Sequence, residues 1–267
     1  MNRIVGKSVK VLLFVLLLAG IATAGPASNI TYPCSLSSVK GHYGMQGQGT
    51  VVQYQAPPAP PFPFAEVATE YFDGVGNWSS NFLANADGMI LGGPVTGKYT
   101  VNANCTGTVV FAGVRQFFVV LGNGSLRKID TDSWELAVRT SDPKARAGSC
   151  SLNTLKGNYS VQGLGTVVAQ VPGWPAPPFS MAEEARYSLD GAGNLSGRFT
   201  ANVDGTLVKQ TLKGTYTVKP NCTGTIAASG GALPFNQWFV VLLDGRLRLI
   251  QTDPWLVITR TMEKTPD

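Results

Sequence analysis

The fold is decided by a stretch of sequence that occurs twice. Residues 34–52 read CSLSSVKGHYGMQGQGTVV, and residues 150–168 read CSLNTLKGNYSVQGLGTVV. A second landmark, GKYTVNANCTGT at residues 97–108, returns as GTYTVKPNCTGT at residues 214–225. The first landmark repeats after 116 residues and the second after 117. This nearly constant spacing indicates a tandem duplication, in which one structural unit is built twice.

Each repeat carries strand signals and few helix signals. Apolar and polar residues alternate, Thr and Val are frequent, and Gly, Asn or Asp interrupt the runs. Asp87-Gly88 and its counterpart Asp204-Gly205 are dipeptides typical of tight hairpins. The first repeat predicts eight antiparallel strands, near residues 41–53, 65–73, 77–86, 94–102, 106–113, 115–122, 125–131 and 134–140. The second repeat predicts the same eight strands at the matching positions.

Such a set of strands most simply closes on itself. Eight short strands joined by hairpins have no helix to cover an open sheet, and closure into a barrel leaves no edge unpaired. The predicted fold class is therefore all-β, with two tandem antiparallel eight-stranded barrels. We expect the first barrel over residues 25–140, a linker over 141–149 and the second barrel over 150–267.

Residues 1–24 have the order of a secretion signal. Arg3, Lys7 and Lys10 precede an apolar run, and Ala22-Thr23-Ala24 supplies a small-residue cleavage site. We expect an exported protein, periplasmic or extracellular, that is not held in a membrane after cleavage. Removal of three basic residues lowers the formal net charge from +5 to +2. The remaining Lys and Arg are dispersed, which argues against a nucleic-acid partner.

The four cysteines of an exported chain predict two disulfides. The duplication favours one bridge within each repeat, Cys34–Cys105 and Cys150–Cys222. A symmetric alternative joins Cys34 to Cys150 and Cys105 to Cys222. The first arrangement closes a loop in each repeat, which is worth roughly 4 kcal/mol in the chain-entropy account. No metal site or cofactor is expected, because the chain has one histidine and no CxxC pair.

Six aromatic side chains are assigned to the barrel interiors, because side chains alternate between the two faces of a strand. An eight-stranded barrel either holds one small ligand or is filled by its own side chains. We take the six residues as candidates for ligand binding: Tyr43, Phe82 and Tyr99 in the first repeat, and Tyr159, Phe199 and Tyr216 in the second.

Glu66 and Glu183 are the candidate catalytic residues. Each is predicted to point inward at the rim of its barrel, where desolvation would raise its pKa and suit it to proton transfer. The structural alternative is an ion pair with an arginine that both repeats keep. The candidate partners are Arg127 or Arg139 for Glu66, and Arg248 or Arg260 for Glu183.

A proline-rich segment precedes each of these glutamates, at residues 56–64 and 171–179. Such a run is stiff and extended and lacks the N–H donors of a strand ladder. We expect it at the mouth of the barrel, either as the lid of a ligand pocket or as a hydrophobic plug.

Strand six of each repeat is apolar on both faces, at residues 117–121 and 238–243. One face lines the barrel, so the other face needs a cover. The other barrel is the expected cover, with a dimer interface or an exposed patch as the alternatives.

The motifs resemble a group of exported bacterial proteins of unknown function. The shared pattern is Cys-x-Leu, Lys-Gly-x-Tyr, Asp-Gly-x-Gly-Asn, Gly-x-Tyr-Thr-Val, Asn-Cys-Thr-Gly-Thr and Thr-Asp-Pro, and it covers both repeats. In that group the unit is usually single and contains both cysteines, which implies a bridge within each repeat. The strand count is also similar to allene oxide cyclase, dirigent and lipocalin barrels, a likeness of fold that transfers no catalytic residue.

Three functions are compatible with this sequence. The first is a non-catalytic module that binds a small apolar molecule inside a barrel. The second is an allene oxide cyclase-like isomerase or cyclase, in which Glu66 or Glu183 moves a proton. The third is a structural or surface-interaction protein with solid barrels. A hollow barrel would favour the first two functions, and a barrel filled by its own side chains would favour the third.

Overall fold

The chain is described by a computed structural model over residues 33–53, 59–230 and 233–266. The predicted signal peptide, residues 1–24, lies outside these ranges. Two closed antiparallel barrels of eight strands each follow one another along the chain, which confirms the predicted fold class. Within the described ranges, no helix is long and apolar enough to cross a membrane.

Barrel one is a meander in which the last strand, β8, closes on the first, β1. Its strands are β1 (Gly41–Val51), β2 (Phe62–Phe72), β3 (Asn77–Ala86), β4 (Met89–Val101), β5 (Thr106–Phe111), β6 (Val114–Val120), β7 (Leu126–Asp130) and β8 (Glu135–Pro143).

Barrel two repeats this arrangement, with β16 closing on β9. Its strands are β9 (Gly157–Val167), β10 (Phe179–Leu189), β11 (Asn194–Val203), β12 (Thr206–Val218), β13 (Thr223–Gly230), β14 (Leu233–Val241), β15 (Leu247–Gln251) and β16 (Leu256–Lys264).

The Asp-Gly dipeptides form the predicted hairpin turns. Asp87 and Gly88 have φ angles of 51° and 88° in the β3–β4 turn, and Asp204 and Gly205 have 48° and 84° in the β11–β12 turn. Glycine and short polar residues tolerate this left-handed backbone, which matches the twist of the flanking strands.

The end of the first proline-rich segment joins the sheet, contrary to the prediction. β2 begins at Phe62, and Pro63 lies within it opposite Thr50. Pro63 has no N–H to donate, but its carbonyl accepts a hydrogen bond from the N–H of Asp87 at 3.1 Å. Residues 54–58 of this connection lie outside the described ranges. At the far end of the barrel β8 runs to Pro143, so the first three residues of the predicted linker belong to a strand.

A short 3₁₀ helix closes one end of each barrel, Leu36–Val39 in barrel one and Leu152–Leu155 in barrel two. Beside these helices lie the disulfides Cys34–Cys105 and Cys150–Cys222. Each bridge stays within its own barrel, which confirms the preferred pairing.

The barrels contact each other through faces that are not equivalent. Strands β14–β16 of barrel two lie against β1–β3 of barrel one. Val240 and Val257 pack on Ala65 and Val67 in this contact. Barrel one therefore covers the outer face of strand six of barrel two, as predicted. In barrel one the expected cover is not found among the described residues, and Val119 on the outer face of β6 is 37% exposed to solvent.

Candidate functional site

Barrel one is hollow at the end opposite its 3₁₀ helix. A cavity of about 240 Å³ lies inside the barrel, and most of its wall is apolar. Phe82 lies in the wall, while Met89 and Leu91 are 38% and 43% exposed where the wall reaches solvent. Other residues of the wall are Val51, Phe62, Phe64, Val95, Phe111, Val114 and Trp134.

Aromatic rings occupy the corresponding space in barrel two. The ring centroids of Phe199 and Phe235 lie 5.4 Å apart, those of Phe235 and Trp255 5.7 Å apart, and those of Trp255 and Trp174 6.0 Å apart. Trp174 belongs to the second proline-rich segment, which therefore acts as a plug. In barrel one, Val114 stands at the position of Phe235, and the proline-rich segment of barrel one contains no tryptophan. Barrel one therefore lacks two of the rings that fill this space in barrel two.

The inward aromatic residues of barrel one are divided between its two ends. Phe82 lines the cavity. Tyr43 and Tyr99 are buried at the closed end, where their hydroxyl groups donate hydrogen bonds to the carbonyls of Val39 (3.2 Å) and Leu36 (3.0 Å). These tyrosines hold the 3₁₀ helix in place, and the structure does not bring them to the cavity.

Barrel two shows the same division. Tyr216 donates to the carbonyl of Leu152 at 3.1 Å, and Tyr159 is buried in the same core. Burial raises the pKa of Tyr159 to about 12, with a smaller contribution from Tyr216. Phe199 belongs to the packed aromatic row. Ligand binding by these three residues stays a prediction.

Glu66 and Glu183 are both buried and both paired with arginine. Arg139 Nε donates to Glu66 Oε1, and Arg260 donates to Glu183 through Nε and Nη2. These are the ion pairs of the structural alternative. Burial raises the pKa of Glu66, and the positive charge of Arg139 opposes that shift.

A glycine makes room for each of these ion pairs. Gly47 lies on β1 opposite both Glu66 on β2 and Arg139 on β8. A Cβ atom at Gly47 would come within 2.7 Å of Arg139 Cγ and 2.8 Å of Glu66 Oε1. Gly163 has the same position between Glu183 and Arg260. The close approach of the ion pair thus explains why both repeats carry glycine here.

Barrel one contains further buried charges that the sequence analysis missed. Arg139 Nη2 lies 2.7 Å from Glu135 Oε1, and Arg139 Nη1 donates to Asp130 Oδ2. Beside them Lys128 Nζ lies 2.5 Å from Glu70 Oε1. We name these buried side chains together the acidic cluster: Glu66, Glu70, Lys128, Asp130, Glu135 and Arg139.

Glu135 is a member of the acidic cluster whose pKa is raised well above its ordinary value. Burial raises its pKa to about 8; Arg139 opposes the shift, while the carboxylates of Asp130 and Glu66 add to it. Asp130 Oδ1 is buried and has no hydrogen-bond donor among the described residues. The protonated carboxyl of Glu135 can supply one.

Comparing the repeats position by position would have revealed the cluster. Charged residues at inward positions of one repeat are replaced by uncharged residues in the other, which indicates a role that only one barrel has. Glu70, Lys128, Asp130 and Glu135 correspond in order to Tyr187, Leu249, Gln251 and Leu256.

Comparison with known proteins finds no family: no protein-family model and no curated protein matches the chain. One similar solved structure is a protein of unknown function from the DUF3598 family of Nostoc punctiforme PCC 73102. It is 10% identical, with 86% of this chain and 97% of that chain covered and a TM-score of 0.26. A porin-like protein from Bacteroides uniformis ATCC 8492 is 9% identical, with 84% and 97% covered and a TM-score of 0.21.

Proposed function

We propose that the protein is an exported, non-catalytic binding protein whose first barrel holds a small apolar ligand. The observation that carries this proposal is the cavity of barrel one, which is apolar along most of its wall and is also lined by Glu66, Glu70, Glu135 and Arg139 of the acidic cluster. Binding sites for small molecules are typically concave and mostly apolar, with a few polar groups that orient the ligand. The two disulfides fit the oxidising compartment that export implies.

The size of the cavity limits the ligand. An engineered apolar cavity of about 150 Å³ accommodates benzene. In the same proportion, the cavity of about 240 Å³ accommodates about ten non-hydrogen atoms. A single ring with a short side chain, or a branched chain of similar volume, has this size.

Barrel two supports a division of labour between the repeats. Its aromatic row fills the space that is empty in barrel one, and its outer face forms the contact with barrel one. We assign it a structural role. Catalysis by Glu66 or Glu183 is less favoured, because each carboxylate is engaged by an arginine.

Native mass spectrometry of the protein purified from its own host tests the proposal. We expect an additional mass that organic extraction removes. Val114→Phe places in barrel one the ring that barrel two carries at the matching position, so this variant should be purified without the additional mass. Val110→Phe, the same change at an exposed position on β5, is the matched control and should retain it. A bare wild-type protein, or a Val114→Phe variant that carries the same mass, would contradict binding in barrel one.

A further inference from the structure

We propose that the small, largely apolar ligand of barrel one carries one amine, held as its ammonium ion by the acidic cluster. This inference rests on the proposed function, because it names the chemical class that the cavity takes.

The first step is the imbalance of buried charge. Arg139 alone faces three carboxylates, those of Glu66, Asp130 and Glu135, and none of the four side chains is more than 9% exposed. With all groups ionised, this set carries three negative charges and one positive charge. A buried negative charge that is not balanced by a positive charge is unfavourable. The site therefore lacks positive charge.

Lys128 supplies only part of the missing charge: its positive charge lowers the pKa of Glu66, but its ammonium group is in direct contact with Glu70. Lys128 Nζ lies 2.5 Å from Glu70 Oε1. The same carboxylate accepts hydrogen bonds from Trp78 Nε1 at 3.1 Å and from Ser141 Oγ at 2.6 Å. Glu70 and Lys128 thus form a satisfied unit beside the imbalance.

Barrel two shows that the fold does not need the additional carboxylates. Arg260, at the position of Arg139, is satisfied by Glu183 and by Oε1 of Gln251 at 2.7 Å. Gln251 stands where barrel one has Asp130, and Leu256 stands where it has Glu135. One carboxylate in direct contact is enough to pair this buried arginine, with Asp253 linked to it through Gln251, so the two further direct contacts in barrel one need a different explanation.

The second, independent observation is a pair of buried acceptors without donors. Gln116 is 3% exposed and lines the cavity, and its Oε1 has no hydrogen-bond donor among the described residues. Asp130 Oδ1 has none either, and Asp130 lies directly opposite Gln116 across β6 and β7. An ammonium group supplies three N–H donors and a positive charge together. Inside the cavity it can donate to Gln116 Oε1 and offset the negative charges of Glu66 and Glu135, which line the same wall.

Without an amine, a proton on Glu135 takes part of this role. The pKa of Glu135 is raised to about 8, chiefly by burial. The charged groups around it are Arg139 on its own strand, Lys128 and Asp130 on β7, and Glu66 and Glu70 on β2. An entering ammonium ion favours the ionised form of Glu135, so binding releases the proton. Affinity should then rise with pH up to about 8.

Calorimetric titrations of the wild-type protein at pH 7.5 test the inference with three probes of similar size: 2-phenylethylamine, propylbenzene and phenylacetate. We expect the amine to bind at least tenfold more tightly than propylbenzene, and phenylacetate not to bind. Between pH 6 and pH 7.5 the affinity for the amine should rise by about tenfold per pH unit, as the loss of one proton requires, whereas that for propylbenzene should stay constant.

Variants assign the effect to the acidic cluster. Glu135→Gln and Asp130→Gln should each weaken binding of the amine at least tenfold without weakening that of propylbenzene. Glu184→Gln on the outer face of barrel two is the matched control and should change neither. The pH series on the wild-type protein decides the matter if a variant does not fold.

The outcomes separate the two proposals. If propylbenzene binds as tightly as the amine and Val114→Phe abolishes both, the amine is the wrong class while the cavity remains the binding site. If none of the probes binds the wild-type protein at millimolar concentration, both proposals are overturned.

Discussion

At the level of single residues, Glu135 couples the stability of the protein to pH. Its pKa is about 8 in the folded protein, chiefly because it is buried, against an ordinary value of 4.5. Between these values the folded protein holds a proton that the unfolded chain has lost. The contribution of this group to the free energy of unfolding is therefore complete below pH 4.5 and is lost as the pH rises to about 8.

Replacing Glu135 by glutamine should remove this dependence. We expect the melting temperature of Glu135→Gln, relative to that of the wild-type protein, to increase steadily between pH 5 and pH 9, because the amide is never ionised. Thermal unfolding followed by circular dichroism across this range measures the difference. Glu184→Gln, on an exposed position of barrel two, should give a curve parallel to the wild type. A parallel curve for Glu135→Gln would show that Glu135 is ionised in the fold at neutral pH.

At the level of strands, repetition made the architecture predictable. The alternation of residues and the matched turns predicted the eight strands of each barrel, and the duplication predicted which cysteines pair. The two predicted glutamates point inward, as alternation requires, and their arginine partners were among the predicted candidates. Periodicity assigns a residue to a face of a strand, and this was sufficient for those features.

The cavity could not be predicted in the same way. Alternation places Tyr43, Phe82 and Tyr99 inside the barrel alike, but only packing along the barrel axis separates the closed end from the hollow end. Proline was expected to exclude the residues around Pro63 from the sheet. Instead, Phe62 and Phe64 pair with β1, and the carbonyl of Pro63 accepts a hydrogen bond from Asp87, so these residues belong to β2. These features depend on neighbours that are distant in sequence.

Strand β14 offers a test of the difference between the barrels. Phe235 is 3% exposed and joins the rings of Phe199 and Trp255. Phe235→Val gives barrel two a valine at this position, as barrel one has in Val114. The variant should lower the free energy of unfolding by about 2–3 kcal/mol, because a buried ring is replaced by a cavity. Urea unfolding measures the change. The exposed Val110→Phe should stay within about 0.5 kcal/mol of the wild type. An unchanged midpoint for Phe235→Val would mean that this ring does not support barrel two.

At the level of the whole molecule, a buried ion pair joins the barrels. Asp142 of β8 accepts a hydrogen bond from Arg248 Nη2 of β15 and another from Ser125 Oγ at 2.7 Å. Burial alone would raise the pKa of Asp142, but the hydrogen bonds and the charge of Arg248 hold it below its ordinary value. Asp142 therefore stabilises the folded protein above pH 4, and this contribution is lost as the pH falls through the lowered pKa.

Removing the arginine should leave Asp142 buried without its main partner. We expect Arg248→Ala to lower the free energy of unfolding by about 3 kcal/mol at pH 7, as is usual when one member of a buried pair is deleted. The loss should shrink as the pH falls towards 3, because a protonated Asp142 no longer needs the cation. Arg246→Ala is the matched control: this side chain is 32% exposed and lies 3.9 Å from the same carboxylate, so its loss should cost less than about 1 kcal/mol. Urea unfolding at pH 7 and pH 3 distinguishes the cases. An equal loss at both pH values would assign the effect to packing of the Arg248 side chain between the barrels and not to its charge.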